Sequence, residues 1–262
     1  MASVEEIRGG WDSFTFLVDG GHILRFARNA GSAAGHRREA ALLPQLAAAV
    51  SFRVPEPDFF GSFGDAETII GYPLIEGRPL TANDGWRALA DALRELHGFP
   101  VEVAREALGV QGTVDEWRGF YDEFTERVFR QALPALDDEL SVALAREYAV
   151  FLNGDWDFEP VLVHRDLAPE HVLVDDTGRL AGIIDFSDAT IGDPAIDFAG
   201  LLPVLGEDRI ESLLADYGRP VDRDRLRGYW QLAPVHDLLH GLETGSAALA
   251  DGAVAELRRR LT

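Results

Sequence analysis

Two acids and a histidine stand on a strand–loop–strand–strand pattern in the second half of the chain. The segment Val163-His164-Arg165-Asp166-Leu167-Ala168-Pro169-Glu170-His171-Val172-Leu173-Val174 puts Asp166 in a loop entered by an apolar strand and His171 at the start of the next strand. A third apolar run ends in Ile183-Ile184-Asp185-Phe186-Ser187-Asp188, with Asp185 at its tip. Loop-borne polar groups held by apolar strands are a common way to build a site. Phosphoryl transfer needs this set: one carboxylate to orient an attacking hydroxyl and accept its proton, and a separate pair to hold the magnesium that bridges the phosphates. Neutral imidazole can ligate a metal through one nitrogen, although it is softer than magnesium prefers.

The elements that must position these groups divide in character near residue 75. Phe14–Val18 and Ile23–Ala27 flank Asp19-Gly20-Gly21, a strong hairpin signal. A helix is expected over Ala33–Val50, stopped by Pro55 and Pro57, then two strands, Phe59–Phe63 and Thr68–Tyr72, around Gly64-Asp65. Beyond Ile75, helices are expected at about Asn83–His97, Asp115–Leu133 and Asp137–Asn153. Short strands follow at 161–163, 172–174 and 180–184, and helices again at 194–205, 207–217, 222–242 and 245–260. The expectation is an α+β chain of two parts, a small α/β lobe over 1–75 and a larger, mainly helical lobe over 76–262.

Composition restricts the partners. The formal net charge is −21, from 24 basic and 45 acidic side chains; every basic one is arginine, and there is no cysteine. Residues 1–75 hold 6 Arg and 9 acids, leaving 18 Arg and 36 acids, a net of −18, for residues 76–262. Such acidity disfavours nucleic-acid phosphates and anionic membranes and favours a cationic small molecule. Without cysteine there are no disulfides, thiolate nucleophiles or cysteine zinc sites. No run of 18 apolar residues predicts a membrane span, the acidic start Val4-Glu5-Glu6 lacks the features of a signal peptide, and a cytoplasmic location is expected. No protein partner is evident.

The two motifs together resemble the kinase signature, with His164-Arg165-Asp166 for H-R-D, His171 where asparagine usually stands, and Asp185-Phe186-Ser187 for D-F-G. With Gly192-Asp193-Pro194-Ala195-Ile196-Asp197-Phe198-Ala199, the chain resembles the aminoglycoside phosphotransferase family of kinase-like antibiotic kinases, and among them the 2″-acting enzymes. The resemblance implies a two-lobed protein-kinase-like fold, ATP or GTP as donor with Mg2+, and a hydroxyl of a cationic antibiotic as acceptor. Macrolide, peptide-antibiotic and metabolite-alcohol kinases, and a non-catalytic nucleotide-binding protein, are the alternative readings.

By resemblance, Asp166 is the catalytic base, and His171 and Asp185 hold the metal. Gly9-Gly10-Trp11-Asp12-Ser13-Phe14 takes the place of the nucleotide-covering turn, with Ser13 as a contact. Arg25 stands where these folds carry a lysine, paired with Glu39. Arginine keeps the charge but changes bulk and geometry. The hinge reads Tyr72-Pro73-Leu74-Ile75, with Tyr72 as gatekeeper and the Pro73 carbonyl and Ile75 N–H meeting the purine. Asp188, Glu207, Asp208, Glu211 and Asp237, beside His236, are the candidate acids for the acceptor's ammonium groups. Asp197 is expected as a buried acid bracing the catalytic loop.

Overall fold

The Asp19-Gly20-Gly21 turn adopts the conformation its residues favour. Asp19 and Gly20 take positive φ (49° and 68°), the backbone of a tight hairpin whose twist matches its strands. In the computed structural model, which describes residues 3–7, 10–62 and 67–261, β1 (Val4–Ile7) pairs with β2 (Ser13–Val18), and the turn joins β2 to β3 (His22–Ala27). The long helix α1 (Ala30–Ala47) follows, then β4 (Phe59–Ser62) and β5 (Thr68–Pro73). Gly9 and the expected turn at Gly64-Asp65, with Phe63, lie outside the described residues. Among the described residues these strands form a five-stranded antiparallel sheet in the order β1-β2-β3-β5-β4.

Register decides what β3 buries. Side chains alternate faces along a strand, so Ile23 and Arg25 share one face. Both are buried, at 7% and 5% exposure. Ile23 packs with Ile70 and Tyr72 of β5, and Ala40 of α1 packs against this cluster. Asn29 caps α1 by accepting from the Ser32 backbone N–H at 3.0 Å. Pro44 is tolerated near the C-terminal end of α1, while Leu42, Leu43 and Leu46 are fully buried.

The rest of the chain runs through β6 (Arg78–Pro79), α2 (Ala88–Leu96), α3 (Val101–Leu108), α4 (Val114–Gln131), α5 (Asp138–Leu152), β7 (Val161–Val163), β8 (Val172–Val174), β9 (Leu180–Ile183) and β10 (Thr190–Gly192). It ends in α6 (Ala195–Leu205), α7 (Glu207–Tyr217), α8 (Arg223–Leu232), α9 (Pro234–Thr244) and α10 (Ala247–Leu261). The mixed α+β class expected from the sequence is what the chain adopts. Four details differ. Strands β1, β6 and β10 are too short to show a pattern. The first expected helix of the second part begins at Ala88, not Asn83, and α3 follows it. The single helix expected over 222–242 is two, because Pro234 has no N–H to donate and opens α9 instead. Its partner α8 is capped by Asp222, which accepts from Arg225 N at 2.7 Å.

Backbone contacts divide the chain into two compact units. One comprises residues 1–111, 161–191 and 200–219; the other comprises 112–160, 192–199 and 220–262. The lobe boundary expected near residue 75 falls inside the first unit. The second unit has an aromatic core of Trp117, Tyr121, Phe151, Trp156 and Tyr229, with the Tyr121 and Phe151 rings 5.3 Å apart, edge to face. Its helix α4 opens with a capping box formed by Thr113 and Glu116.

Candidate active site

The short sheet β6-β8-β9 of the first unit carries His171 and Asp185 at its strand ends, and Asp166 lies in the loop that follows β7. Val172 pairs with Ile183, which sets the start of β8 beside the end of β9. Ile184 N–H then donates to the His171 carbonyl at 2.9 Å. His171 and Asp185, fourteen positions apart in sequence, are thereby held side by side. The backbone turns left-handed at Arg165 (φ 70°) and Asp185 (φ 64°). For residues with side chains that conformation costs about 1–3 kcal/mol each and persists only where surrounding structure enforces it.

His171 Nδ1 lies 2.6 Å from the backbone carbonyl of Asp166. A carbonyl can only accept, so Nδ1 donates to it, and Nε2 is the nitrogen left toward Asp185. Nε2 faces Asp185 Oδ2 at 3.9 Å, and Asp166 Oδ2 lies 3.6 Å from Nδ1. His164, fully buried, donates from Nε2 to the Ile184 carbonyl at 2.9 Å and packs on Phe186 with ring centres 4.6 Å apart. This ties the two motifs together beneath the site.

Arg25 joins the N-terminal sheet to that site. Its Nη1 lies 3.0 Å from both oxygens of Glu39, and its Nη2 donates to Asp185 Oδ1 at 3.0 Å. Glu39 is fully buried, and its carboxyl is raised by burial against the pull of Arg25. The guanidinium stays charged: burial works against it, but Glu39, Tyr72 and Asp185 more than compensate. Tyr72 is pushed up to about 12, first by burial.

The two acids of the site are tuned apart. Burial acts to raise Asp185, yet Arg25, His171 and the Ser187 hydroxyl hold it at about 2. Asp166 is pushed up to about 7 by removal from water and by the like charges of Asp188, Asp185 and Glu170, with His171 opposing. Its side chain is 58% exposed, so solvent blunts the burial contribution; the neighbouring carboxylates act in the same upward direction.

Among the described residues no group of three or more His, Asp or Glu side chains is arranged to hold a metal. Asp185 Oδ2 nevertheless suits magnesium, which keeps several waters and takes one or two carboxylates with substrate phosphates, and His171 Nε2 stands beside it as a softer second donor.

The remaining sequence candidates fall in different places. The Ser13 hydroxyl is buried on His36 Nε2 at 2.9 Å, and His36 Nδ1 meets Thr68 Oγ1 at 2.8 Å. Tyr72 and Ile75 are buried, and Pro73 is exposed at the end of β5, where Leu74 N–H donates to the Gly21 carbonyl at 2.9 Å. Asp188 is exposed and close enough to raise Asp166. Glu207 and Asp208 are exposed on the first turn of α7, beside a depression lined by Ala82 and Leu205. Glu211 is exposed further along α7, while Asp237, half-buried on α9, belongs to the second unit. In that unit His236 stacks on Phe124 at 4.4 Å, and Asp197 is fully buried.

The sequence reading missed Asp193. It is fully buried and accepts from Arg225 Nε at 2.6 Å, from the Tyr229 hydroxyl at 3.0 Å and from Ala195 N–H at 3.0 Å. Trp117 Nε1 in turn donates to Tyr229 at 2.8 Å. An acid between Gly192 and Pro194 signalled a turn; which arginine would pair with it had no sequence signal.

Residues 3–229 match the family model described as "Phosphotransferase enzyme family". The chain belongs to this family. The chain is 30% identical to the viomycin phosphotransferase of Streptomyces vinaceus over 218 residues, covering 77% of this chain and 74% of that one. It is 27% identical to the uncharacterized protein YcbJ of Bacillus subtilis (strain 168) over 57% of its own length, and spans about half (53%) of that relative. Among solved structures, the GDP and kanamycin complex of APH(2")-IIia is 28% identical with a TM-score of 0.88, over 98% of this chain and 92% of that one. The GDP complex of wild-type aminoglycoside 2'-phosphotransferase-IIIa is also 28% identical, with a TM-score of 0.86, over 98% and 92% of the two chains. The fold of the chain is that of the kinase-like aminoglycoside kinases.

Proposed function

We propose that the protein moves the γ-phosphoryl group of ATP or GTP to a hydroxyl of an aminoglycoside, conferring resistance. The observation that carries this reading is the convergence of Asp166, His171 and Asp185 with the Arg25–Glu39 pair in one unit. Asp166 orients the acceptor hydroxyl and takes its proton as the oxygen attacks the γ-phosphorus. The bond from that phosphorus to the bridging oxygen breaks, and the nucleoside diphosphate leaves. A carboxyl raised above the ordinary carboxylate range suits a base that works near neutral pH. His171 and Asp185 would hold magnesium, which would neutralise phosphate charge. Arg25 adds a fixed cation beside the phosphates, and most of the rate gain comes from positioning and charge neutralisation.

The nucleotide-binding part is residues 1–75, with Ser13 where the covering turn enters β2 and the hinge Tyr72, Pro73 and Ile75 holding the purine. The acceptor part is 76–262, with Asp188, Glu207, Asp208 and Asp237 as carboxylates for ammonium groups. The net charge of −18 over 76–262 supports a cationic acceptor, as does the likeness to a kanamycin complex. No helix among the described residues is long and apolar enough to cross a membrane, and we place the enzyme in the cytoplasm.

A coupled nucleotide-turnover screen tests the reading, run with ATP and GTP in parallel over aminoglycosides, macrolides and peptide antibiotics. Turnover with an aminoglycoside that is lost in Asp166→Asn is the expected result. Turnover confined to another class would replace the acceptor. Failure with every acceptor and both nucleotides would favour a non-catalytic nucleotide-binding protein.

A further inference from the structure

Asp185 presents two unlike oxygens. Oδ1 accepts from Arg25 Nη2 at 3.0 Å and from the Ser187 hydroxyl at 2.8 Å. Oδ2 is the oxygen on the His171 side, 3.9 Å from Nε2. A carboxylate turns easily about its last torsion, so alone it would offer either oxygen, or both. Two donors on Oδ1 occupy its two lone pairs and stop that rotation. His171 is held in the same manner, since its Nδ1 is tied to the Asp166 carbonyl and its Nε2 is left facing Asp185.

Ser187 is itself anchored. Its carbonyl accepts from Arg38 Nη2 of α1 at 3.2 Å, so the hydroxyl is offered to Asp185 from a segment pinned to the helix that also carries Glu39. A glycine at this position, as in the D-F-G signature, has no hydroxyl to give. Arginine at position 25 matters for a related reason. Its two terminal nitrogens are divided between Glu39 and Asp185, which the single nitrogen of a lysine could satisfy only by sitting between them.

We propose that Ser187, with Arg25, is a positioning residue that saturates Asp185 Oδ1, so that Oδ2 and His171 Nε2 form a preset pair for one divalent cation. This rests on the reading of His171 and Asp185 as the metal ligands. Groups that orient metal ligands through their other polar atom are worth about 10–100-fold in metal affinity.

The test is Mn2+ binding to the full-length enzyme saturated with GDP, followed by electron paramagnetic resonance. Ser187→Ala and Ser187→Gly are expected to weaken Mn2+ roughly ten-fold, at the lower end of that range. Ser187→Thr, which keeps the hydroxyl, is expected to restore it. GDP affinity in EDTA should not change in any of the three, which separates loss of metal positioning from loss of fold. In turnover assays the apparent KM for Mg2+ should rise while kcat changes little. Wild-type Mn2+ affinity in both Ser187→Ala and Ser187→Gly would overturn the inference while leaving the ligand assignment standing. If His171→Ala and Asp185→Asn also bound Mn2+ as the wild type does, the ligand assignment itself would fall, and this inference with it.

Discussion

The imidazole of His171 is tied through Nδ1 to the backbone carbonyl of Asp166 at 2.6 Å. One hydrogen bond therefore couples the proposed base loop to a proposed metal ligand and chooses the tautomer that leaves Nε2 toward Asp185. A change on either residue is felt by the other, and several measurable consequences follow from the surrounding geometry.

Asp166→Asn removes the acceptor for the hydroxyl proton while keeping size and shape. It should lower kcat by about 10²–10⁴, with nucleotide affinity and the circular dichroism spectrum unchanged. Near-normal turnover in a folded variant would refute the assignment of the base.

Glu39→Ala strips the buried Arg25 guanidinium of a carboxylate that contacts it at 3.0 Å through both oxygens. Breaking a buried pair by removing one partner costs about 3–5 kcal/mol. Urea denaturation should show a loss of that order. The double variant Arg25→Met with Glu39→Leu should recover part of that stability but not the activity, since the Arg25–Glu39 pair is removed whole while Asp185 still loses its Arg25 partner.

Acid should destabilise the protein through His36. Burial first, and Arg25 next, lower this imidazole to about 4. An unfolded chain binds the proton at the ordinary value of 6.5, so between those two values the unfolded state carries more protons and stability falls as pH falls. The full contribution, lost at pH values below both, is about 3 kcal/mol. Melting temperatures measured from pH 7 to pH 4 should decline less steeply in His36→Gln than in the wild type. Parallel slopes would count against a neutral buried imidazole.

Gly200 of α6 lies against the loop that carries Asp166. A methyl group there would sit well inside contact distance of the Leu167 backbone carbonyl, and backbone cannot swing aside as a flexible side chain does. Gly200→Ala should therefore displace the loop and reduce kcat at least ten-fold, with a smaller effect on nucleotide affinity. An unaltered kcat would mean that the helix, not the loop, gives way.

Arg225→Met leaves Asp193 buried with its main ion-pair partner gone. The expected cost is about 3–5 kcal/mol, read as a lower midpoint in thermal unfolding followed by tryptophan fluorescence, because Trp117 is bonded to Tyr229 in the same network.

Much of the candidate site was legible because its chemistry is local. Asp166, His171 and Asp185 lie within twenty residues beside strands whose apolar runs are unmistakable; β8–β9 pairing brings His171 and Asp185 together, and the His171–Asp166 hydrogen bond adds the third. The hairpin at Asp19-Gly20-Gly21 was legible for the same reason, since the turn residues themselves dictate the backbone. The split at Pro234 was overlooked because apolar periodicity continues across it, although the missing N–H breaks the helix.

What the sequence determined by itself, then, was the inventory: which groups could transfer a phosphoryl group, the elements that carry them, and a negative charge suited to a cationic partner. Tertiary structure alone decided the pairings. Arg25 and Asp185 are 160 positions apart, Ser13 meets His36 across the sheet–helix layer, and Asp193 selects Arg225 from among 24 arginines. A buried charge must find an opposite charge wherever packing delivers one. That choice depends on which faces of distant elements meet, and spacing along the chain carries no record of it.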